Sequence, residues 1–169
     1  ALNNIYSNIL KNSGNGKELI LKLGELMRYV VDSSKKRTVS LTEEIGFIEN
    51  YMAFEQERLG KRCDVHYTKS IATEMNIVPL ILFSFIENAF KHGTASMHKS
   101  AIYISISTSP GALHMTVSNP VFTNEQHSTK TGLENVKKRL SLLYPDAYHL
   151  DILQDEKNYT VKLDIHNLS

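Results

Sequence analysis

The sequence predicts an α+β protein, with helices in its first third and most strands after it. Up to about residue 59, apolar residues recur at three- and four-residue spacing, the period of helices that bury one face. After Lys61 the pattern changes to strict alternation, the period of strands with one buried face. Between the first strand and the others, residues 79–93 (PLILFSFIENAFKHG) form one apolar, helix-like run. These three observations define the fold class.

Composition limits the class of protein. The chain has 169 residues, of which 41% are hydrophobic and 22% charged, as in ordinary soluble globular proteins. That length fits one domain, or one domain with a helical appendage. The net charge of +1 argues against a nucleic-acid partner, since phosphate binding normally requires a basic excess. The single cysteine, Cys63, excludes an internal disulfide, and we interpret it as a buried structural thiol.

The front third contains three predicted helices. Residues 1–10 form the first, which ends at the polar break of residues 13–16, and the second begins near Lys17. Ser40, followed three residues later by Glu43, is a capping-box pattern that opens a third helix, extending to about Leu59. The buried positions of the second helix have the spacing of a helix-packing seam: Leu19, Leu23, Leu26 and Val30.

The strands follow from alternation and turn chemistry. Residues 63–68 predict a strand, and residues 102–107 and 113–118 predict a hairpin around the turn at 109–111. Residues 148–153 and 159–165 predict a terminal antiparallel hairpin. Neither His98 nor His114 has metal-ligand spacing to another histidine, cysteine or carboxylate cluster, so metal binding by imidazole is not expected.

The helix of residues 79–93 organises the chain. Proline is tolerated in a first helical turn and glycine commonly follows the last, so Pro79 and Gly93 predict its two ends. Glu87 and Asn88 lie within its apolar run. Because buried polar side chains are costly unless they are paired or bind something, these two residues predict a binding site.

The segment ENAFKHG resembles the N-box of the GHKL ATPases, in the variant found in LytS-like bacterial sensor histidine kinases. The resemblance implies that Asn88 holds Mg²⁺ through its amide oxygen and that Glu87 polarises the attacking group or a metal-bound water. It also implies that Lys91 and His92 face the phosphates of ATP. The chemistry is suitable, since an amide oxygen is a hard ligand. The alternative is a capped core helix with a solvated polar end.

Residues 119–131 are polar and aperiodic, and in the resembling family this position is the ATP lid. Asn119 stands where the family has an acidic residue that recognises the adenine amino group. At the end of the lid the family's G-x-G-L is replaced by Lys130-Thr131-Gly132-Leu133. Gly132 and the helix predicted over 133–143 still offer backbone N–H groups to phosphate, with Lys130 adding charge. The alternative is that Gly132 simply starts a helix.

Residues 26–29 and 39–62 resemble the segment that joins the phosphoacceptor helix to the ATP domain in the same family. In that family a segment like ALNNIYS directly follows the motif that carries the acceptor histidine. We therefore expect a fragment that cannot phosphorylate itself, because none of its histidines has that position. GLENVKKRLSLLY likewise resembles the family's last helix, in which Asn135 and Arg139 are either structural or in contact with nucleotide.

The resemblance covers nearly the whole chain and implies a GHKL (Bergerat-type) two-layer α/β sandwich with a mixed sheet. We predict a helical remnant of the dimerisation and phosphoacceptor region over residues 1–62 and an ATP-binding catalytic domain over 63–169. The implied activity is transfer of the ATP γ-phosphoryl group to a histidine and then to a response regulator. The implied setting is the cytoplasmic portion of a homodimeric protein, anchored to the membrane by upstream segments.

Two other functions stay open at this point. Asn119 and the missing lid glycine also fit a degenerate domain that acts as a regulatory or dimerisation module. A GHKL ATPase that hydrolyses ATP with water is the third interpretation, although it leaves the kinase-like front helices without a role.

Overall fold

The computed structural model describes residues 16–94, 99–122 and 130–168. The helix predicted over residues 1–10, His98 and residues 123–129 of the predicted lid lie outside this part. Within it, no helix has the length and apolar character needed to cross a bilayer.

Two helices form the front of the described chain. Helix α1 (Gly16–Ser33) buries Leu19, Leu23 and Leu26, as its spacing predicts, and packs on the next helix. A two-residue strand, β1 (Val39–Ser40), leads into helix α2 (Leu41–Leu59). The capping box is confirmed, since the Ser40 hydroxyl accepts from the Glu43 N–H and the Glu43 carboxylate accepts from the Ser40 N–H. A 3₁₀ turn (Gly60–Arg62) follows.

Five strands form a mixed sheet, as predicted. They are β2 (Cys63–Ser70), β4 (Ser100–Ser109), β5 (Ala112–Pro120), β6 (Tyr148–Gln154) and β7 (Asn158–His166), in the order β2-β4-β5-β7-β6. Only the β2/β4 pair is parallel, and both predicted hairpins are antiparallel neighbours. The sequence did not predict the short strand β3 (Asn76–Ile77), which pairs with β1, because two residues are too few to show a period.

Helices cover one face of the sheet. Helix α3 (Ile81–Gly93) packs on β4 and β5, α2 packs on α3 and β2, and α4 (Lys130–Leu143) lies beside α3. The other face carries exposed side chains, including a stacked pair formed by His66 and Tyr103. The fold is therefore a two-layer α/β sandwich.

One hydrophobic core includes buried residues from both sides of the predicted division at residue 62, among them Leu41, Phe54, Ile86 and Ile104. The division into two domains stays a prediction. Cys63 is a buried free thiol, in agreement with its structural interpretation, and burial raises its pKa.

Two helix starts differ from the predicted ones. Helix α3 begins at Ile81, so Pro79 precedes the helix instead of occupying its first turn, and Leu80 has a left-handed φ of 63°. Helix α4 begins at Lys130, three residues before the predicted Leu133, which puts Gly132 inside its first turn. For α3, contacts outside the segment override the local preference, as shown below.

Candidate functional site

The polar side of α3 faces a cleft. Phe85, Ile86, Ala89 and Phe90 are buried, while Glu87 and Asn88 are half-buried and Lys91 is exposed. This separation explains why an acid and an amide interrupt the apolar run: they lie at the edge of the core and not inside it. Aromatic contacts hold the back of the helix, where the Phe83 ring lies 4.8 Å from both the Phe47 and Tyr51 rings of α2.

The cleft has a volume of about 300 Å³ and lies between α3 and the first turns of α4. It brings together five of the residues singled out from the sequence: Glu87, Asn88, Lys91, Gly132 and Leu133. Asn135 and Arg139, for which the sequence left two roles open, also line it. Ser84 lines the cleft as well, and no motif in the sequence identified it.

A second, smaller cavity of about 120 Å³ lies next to the first, and Asn88 lines both. His92 and Asn119 line this second cavity, so the two neighbouring residues Lys91 and His92 face different spaces. Its other walls mix apolar and polar side chains: Pro120, Val121, Phe122, Gln154 and Tyr159. Sequence reasoning placed Tyr159 only in a strand and assigned Gln154 to no element, since no motif surrounds them.

Asn119 is held tightly in place. It is only 4% exposed, and its Nδ2 donates to the Pro120 carbonyl over 2.9 Å. Its side chain lies directly against Gly93, where an added Cβ would stand 2.5 Å from the Asn119 Cβ. Gly93, the last residue of α3, is therefore needed for this close approach. Lys130 is the first residue of α4, and its side chain is outside the described part.

A buried acid of α2 interacts with the cleft residue Glu87. Glu55 is 1% exposed and binds the guanidinium of Arg58. Burial raises the pKa of Glu55, the Arg58 guanidinium opposes this rise, and the Glu87 charge adds to it. Burial also raises the pKa of Tyr51 well above its ordinary value. Across the described residues, no three histidine, cysteine or acidic side chains converge on a possible metal position.

Sequence comparison gives three findings. The histidine kinase family model matches residues 1–63. The sensor histidine kinase YpdA of Escherichia coli is 28% identical over 166 residues, which cover 91% of this chain and 29% of YpdA. The sensor protein LytS of Staphylococcus saprophyticus is 27% identical over 186 residues, which cover 99% of this chain and 32% of LytS. The chain thus spans about a third of the length of these relatives.

Solved structures support the fold. The catalytic domain of histidine kinase ThkA has a TM-score of 0.56 at 15% identity, over 78% of this chain and 97% of that one. ThkA in complex with the response regulator protein TrrA has a TM-score of 0.55 at 17% identity, over 94% of this chain and 51% of that one. The predicted resemblance and the predicted α+β sandwich are both confirmed.

Proposed function

We propose that this chain, which belongs with the LytS-like sensor histidine kinases, binds ATP and Mg²⁺ and supplies the catalytic site for phosphoryl transfer to a histidine. The observation that carries the proposal is the convergence of Glu87, Asn88 and Lys91 with the first turns of α4 around one cleft. An acid, a hard oxygen ligand and a cation are the groups that phosphoryl transfer requires.

Asn88 is the residue that would hold Mg²⁺. Mg²⁺ is usually bound through one or two protein oxygens, with substrate phosphates and water completing an octahedron. One half-buried amide between the two cavities fits this pattern. The metal, when bound, neutralises charge that develops on the phosphates.

The remaining residues of the cleft have separable roles in this proposal. Lys91 provides positive charge for the phosphates, and the backbone N–H of Gly132, in the first turn of α4, provides a donor at a helix N-terminus, with Leu133 lining the cleft beside it. Lys130 and His92 are additional cations or donors toward the nucleotide. Glu87 orients the attacking group. Because the transition state is loose, positioning and charge stabilisation carry most of the catalysis.

We assign the second cavity to the adenine ring. The Asn119 amide contributes a neutral acceptor in place of the acidic residue of the resembling family, and Val121, Phe122 and Tyr159 offer apolar surface to the ring. Since the Nδ2 of Asn119 already donates to Pro120, its oxygen is the end that serves as acceptor.

Partners and setting are also proposed from the relatives. A response regulator as the final phosphoryl acceptor agrees with the ThkA complex, which contains one. A homodimeric protein, with this region on the cytoplasmic side of a membrane anchor, is the arrangement that the resemblance implies.

Isothermal titration calorimetry with ATP, with and without Mg²⁺, tests the proposal. We expect the chain to bind ATP more tightly with Mg²⁺, and we expect Asn88→Ala to lose that gain while keeping its melting temperature. Asn50→Ala, which removes an exposed asparagine from α2, is the matched control and should behave as the parent chain does.

Absence of binding in the parent chain would overturn the proposal and favour a regulatory or dimerisation module. Binding that keeps its full Mg²⁺ dependence in Asn88→Ala would remove Asn88 as the metal ligand.

A further inference from the structure

Helix α3, which carries the proposed metal ligand, begins without a cap of its own. Leu80 occupies the N-cap position with a left-handed φ of 63°, and its apolar side chain has no atom that could accept a capping hydrogen bond. The first N–H groups of a helix have no partners inside the helix and need acceptors from elsewhere. An acceptor from another element is therefore required.

Glu44 of α2 supplies that acceptor. Its side chain is fully buried, and its Oε2 accepts from the Leu80 N–H over 3.0 Å. The Tyr29 hydroxyl of α1 donates to the same oxygen over 3.1 Å. A carboxylate at a helix N-terminus also interacts favourably with the helix dipole. The start of α3 is thus capped by a residue 36 positions earlier in the chain.

Burying a carboxylate costs more free energy than burying an apolar side chain at the same place. Burial raises the pKa of Glu44, so its charged form is disfavoured there, although the Leu80 N–H, Tyr29, the Phe83 N–H and the charge of Arg139 oppose the rise. Its second oxygen, Oε1, has no hydrogen-bond partner among the described residues. An apolar side chain would fill this volume without leaving a buried oxygen unpaired. The position therefore favours a role beyond packing.

Helix α4 and Tyr144, the residue that follows it, hold the same short segment from the other side. The Arg139 guanidinium donates to the Pro79 carbonyl over 3.0 Å, and the Val78 N–H donates to the Tyr144 hydroxyl over 2.8 Å. Arg139 also lines the cleft with Asn88. Residues 78–80 are consequently the point at which α2 and α4 together fix where α3 begins.

We propose that Glu44 is a positioning residue of the nucleotide site: by capping α3 from α2, it fixes Asn88, about two turns further along the helix, relative to α4. This inference rests on the proposed function. No residue of the N-box or the lid performs this task, because the cap comes from a different helix.

The test compares Glu44→Ala, Glu44→Gln and Leu59→Ala, the last being a buried truncation at the opposite end of α2. For each, the ATP affinity is measured with and without Mg²⁺, at a low temperature at which circular dichroism shows the variant folded. Mg²⁺ should increase the ATP affinity of the parent chain, and we expect Glu44→Ala to reduce this Mg²⁺-dependent gain in affinity about tenfold. A loss of that size is typical for residues that orient a metal ligand. Glu44→Gln should restore most of it, since its amide oxygen still accepts from Leu80.

Leu59→Ala should melt at a lower temperature and keep the Mg²⁺-dependent gain, because it loses stability without moving α3. An unchanged gain in folded Glu44→Ala would overturn the proposal and leave the proposed function intact. If Glu44→Ala does not fold, Glu44→Asp replaces it, because the carboxylate is retained but its reach is one methylene shorter.

A second readout needs no nucleotide. The NMR resonances of the Asn88 side-chain amide should shift in Glu44→Ala and return toward the parent values in Glu44→Gln. A parent chain that binds no ATP would overturn the proposed function, and these resonances would still decide whether Glu44 positions Asn88. Unchanged Asn88 resonances in Glu44→Ala would overturn the positioning role.

Discussion

Helices α2 and α3 lie side by side, but their ends are fixed in different ways. The start of α2 is capped by Ser40 and Glu43 from its own segment, and the Gly60 N–H at its end donates to the Gln56 carbonyl. The start of α3 is capped by Glu44, and its end lies against Asn119. Local residues thus form the capping box and the C-terminal cap of α2, to which Glu74 adds an acceptor for the Thr42 N–H. Both ends of α3, by contrast, depend on other elements.

This difference matters because α3 carries the proposed site. A helix with local caps keeps its ends wherever it packs. A helix whose ends are fixed by other elements is held in register with them, and Asn88 then has a defined position relative to both cavities. The structure therefore ties the functional helix to the rest of the fold at both ends, and substitutions at these ends test the comparison.

The largest expected effect is at the end of α3. Gly93→Ala adds a Cβ that would stand 2.5 Å from the Asn119 Cβ, so one of the two backbones must move. We expect a loss of about 3 kcal/mol in the free energy of unfolding, the upper part of the range for overpacking. Urea denaturation followed by circular dichroism measures it.

Gly46→Ala is the matched control on α2. A Cβ there has open space, so the substitution should stabilise the protein by about 1 kcal/mol through helix propensity alone. Equal effects of the two substitutions would show that the contact between Gly93 and Asn119 does not constrain the helix.

The second effect is at the start of α3. Glu44→Ala leaves the Leu80 N–H and the Tyr29 hydroxyl without their acceptor, and we expect it to lower the free energy of unfolding by about 2 kcal/mol. Glu44→Gln keeps an acceptor oxygen and should cost less than about 1 kcal/mol. Equal losses in the two variants, measured by urea denaturation, would contradict the capping role.

The same contrast explains what the sequence could predict. The capping box was readable because Ser40 and Glu43 are three residues apart. The start of α3 was placed two residues too early because Pro79 has a local preference for a first turn, and the partner that overrides it, Glu44, is distant in sequence. Gly93 was identified as a helix end, but its contact with Asn119 depends on how the sheet packs.

The candidate site shows the same limit. Glu87, Asn88 and Lys91 were identified by the N-box resemblance, because they are close together in sequence. Gln154 and Tyr159 reach the second cavity from the last hairpin, and Ser84 reaches the cleft from one turn earlier in α3. Only the order of the strands brings Gln154 and Tyr159 in, so no local pattern could identify them. Ser84 belongs to no motif, although helical spacing places it on the same face as Asn88, four residues later.

The third effect is at the start of α2. Ser40→Ala removes the acceptor of the Glu43 N–H, and we expect a loss of about 1 kcal/mol in the free energy of unfolding. Because the cap is local, we expect the Mg²⁺-dependent gain in ATP affinity to stay unchanged in calorimetry. A reduced gain would show that α2, like α3, transmits its end positions to the site.

The smallest effect is a difference in how the carboxyls at the two helix starts make stability depend on pH. The Thr42 side chain and backbone donate to Glu74 at the start of α2 and lower the pKa of that exposed carboxyl, whereas burial raises the pKa of Glu44 at the start of α3. In the part of the chain that the structure describes, Tyr29, Arg139 and Tyr144 are the other titratable or charged groups that interact with Glu44. The two carboxyls should therefore give stability profiles of opposite sign.

A lowered native pKa means that the unfolded chain binds more protons, so the Glu74 contribution is present above pH 4.5 and is lost as pH falls through the lowered value. A raised native pKa means the reverse, so the free energy of unfolding falls as pH rises from 4.5 through the raised value of Glu44. Urea denaturation across this pH range should show that the free energy of unfolding rises with pH in the parent chain and that Glu74→Gln removes this rise. The rise should be only about 0.3 kcal/mol, because the Glu74 carboxyl is exposed to solvent. Glu44→Gln should remove the fall in the free energy of unfolding. Slopes of the same sign for both residues would contradict the assignment of one exposed cap at the start of α2 and one buried cap at the start of α3.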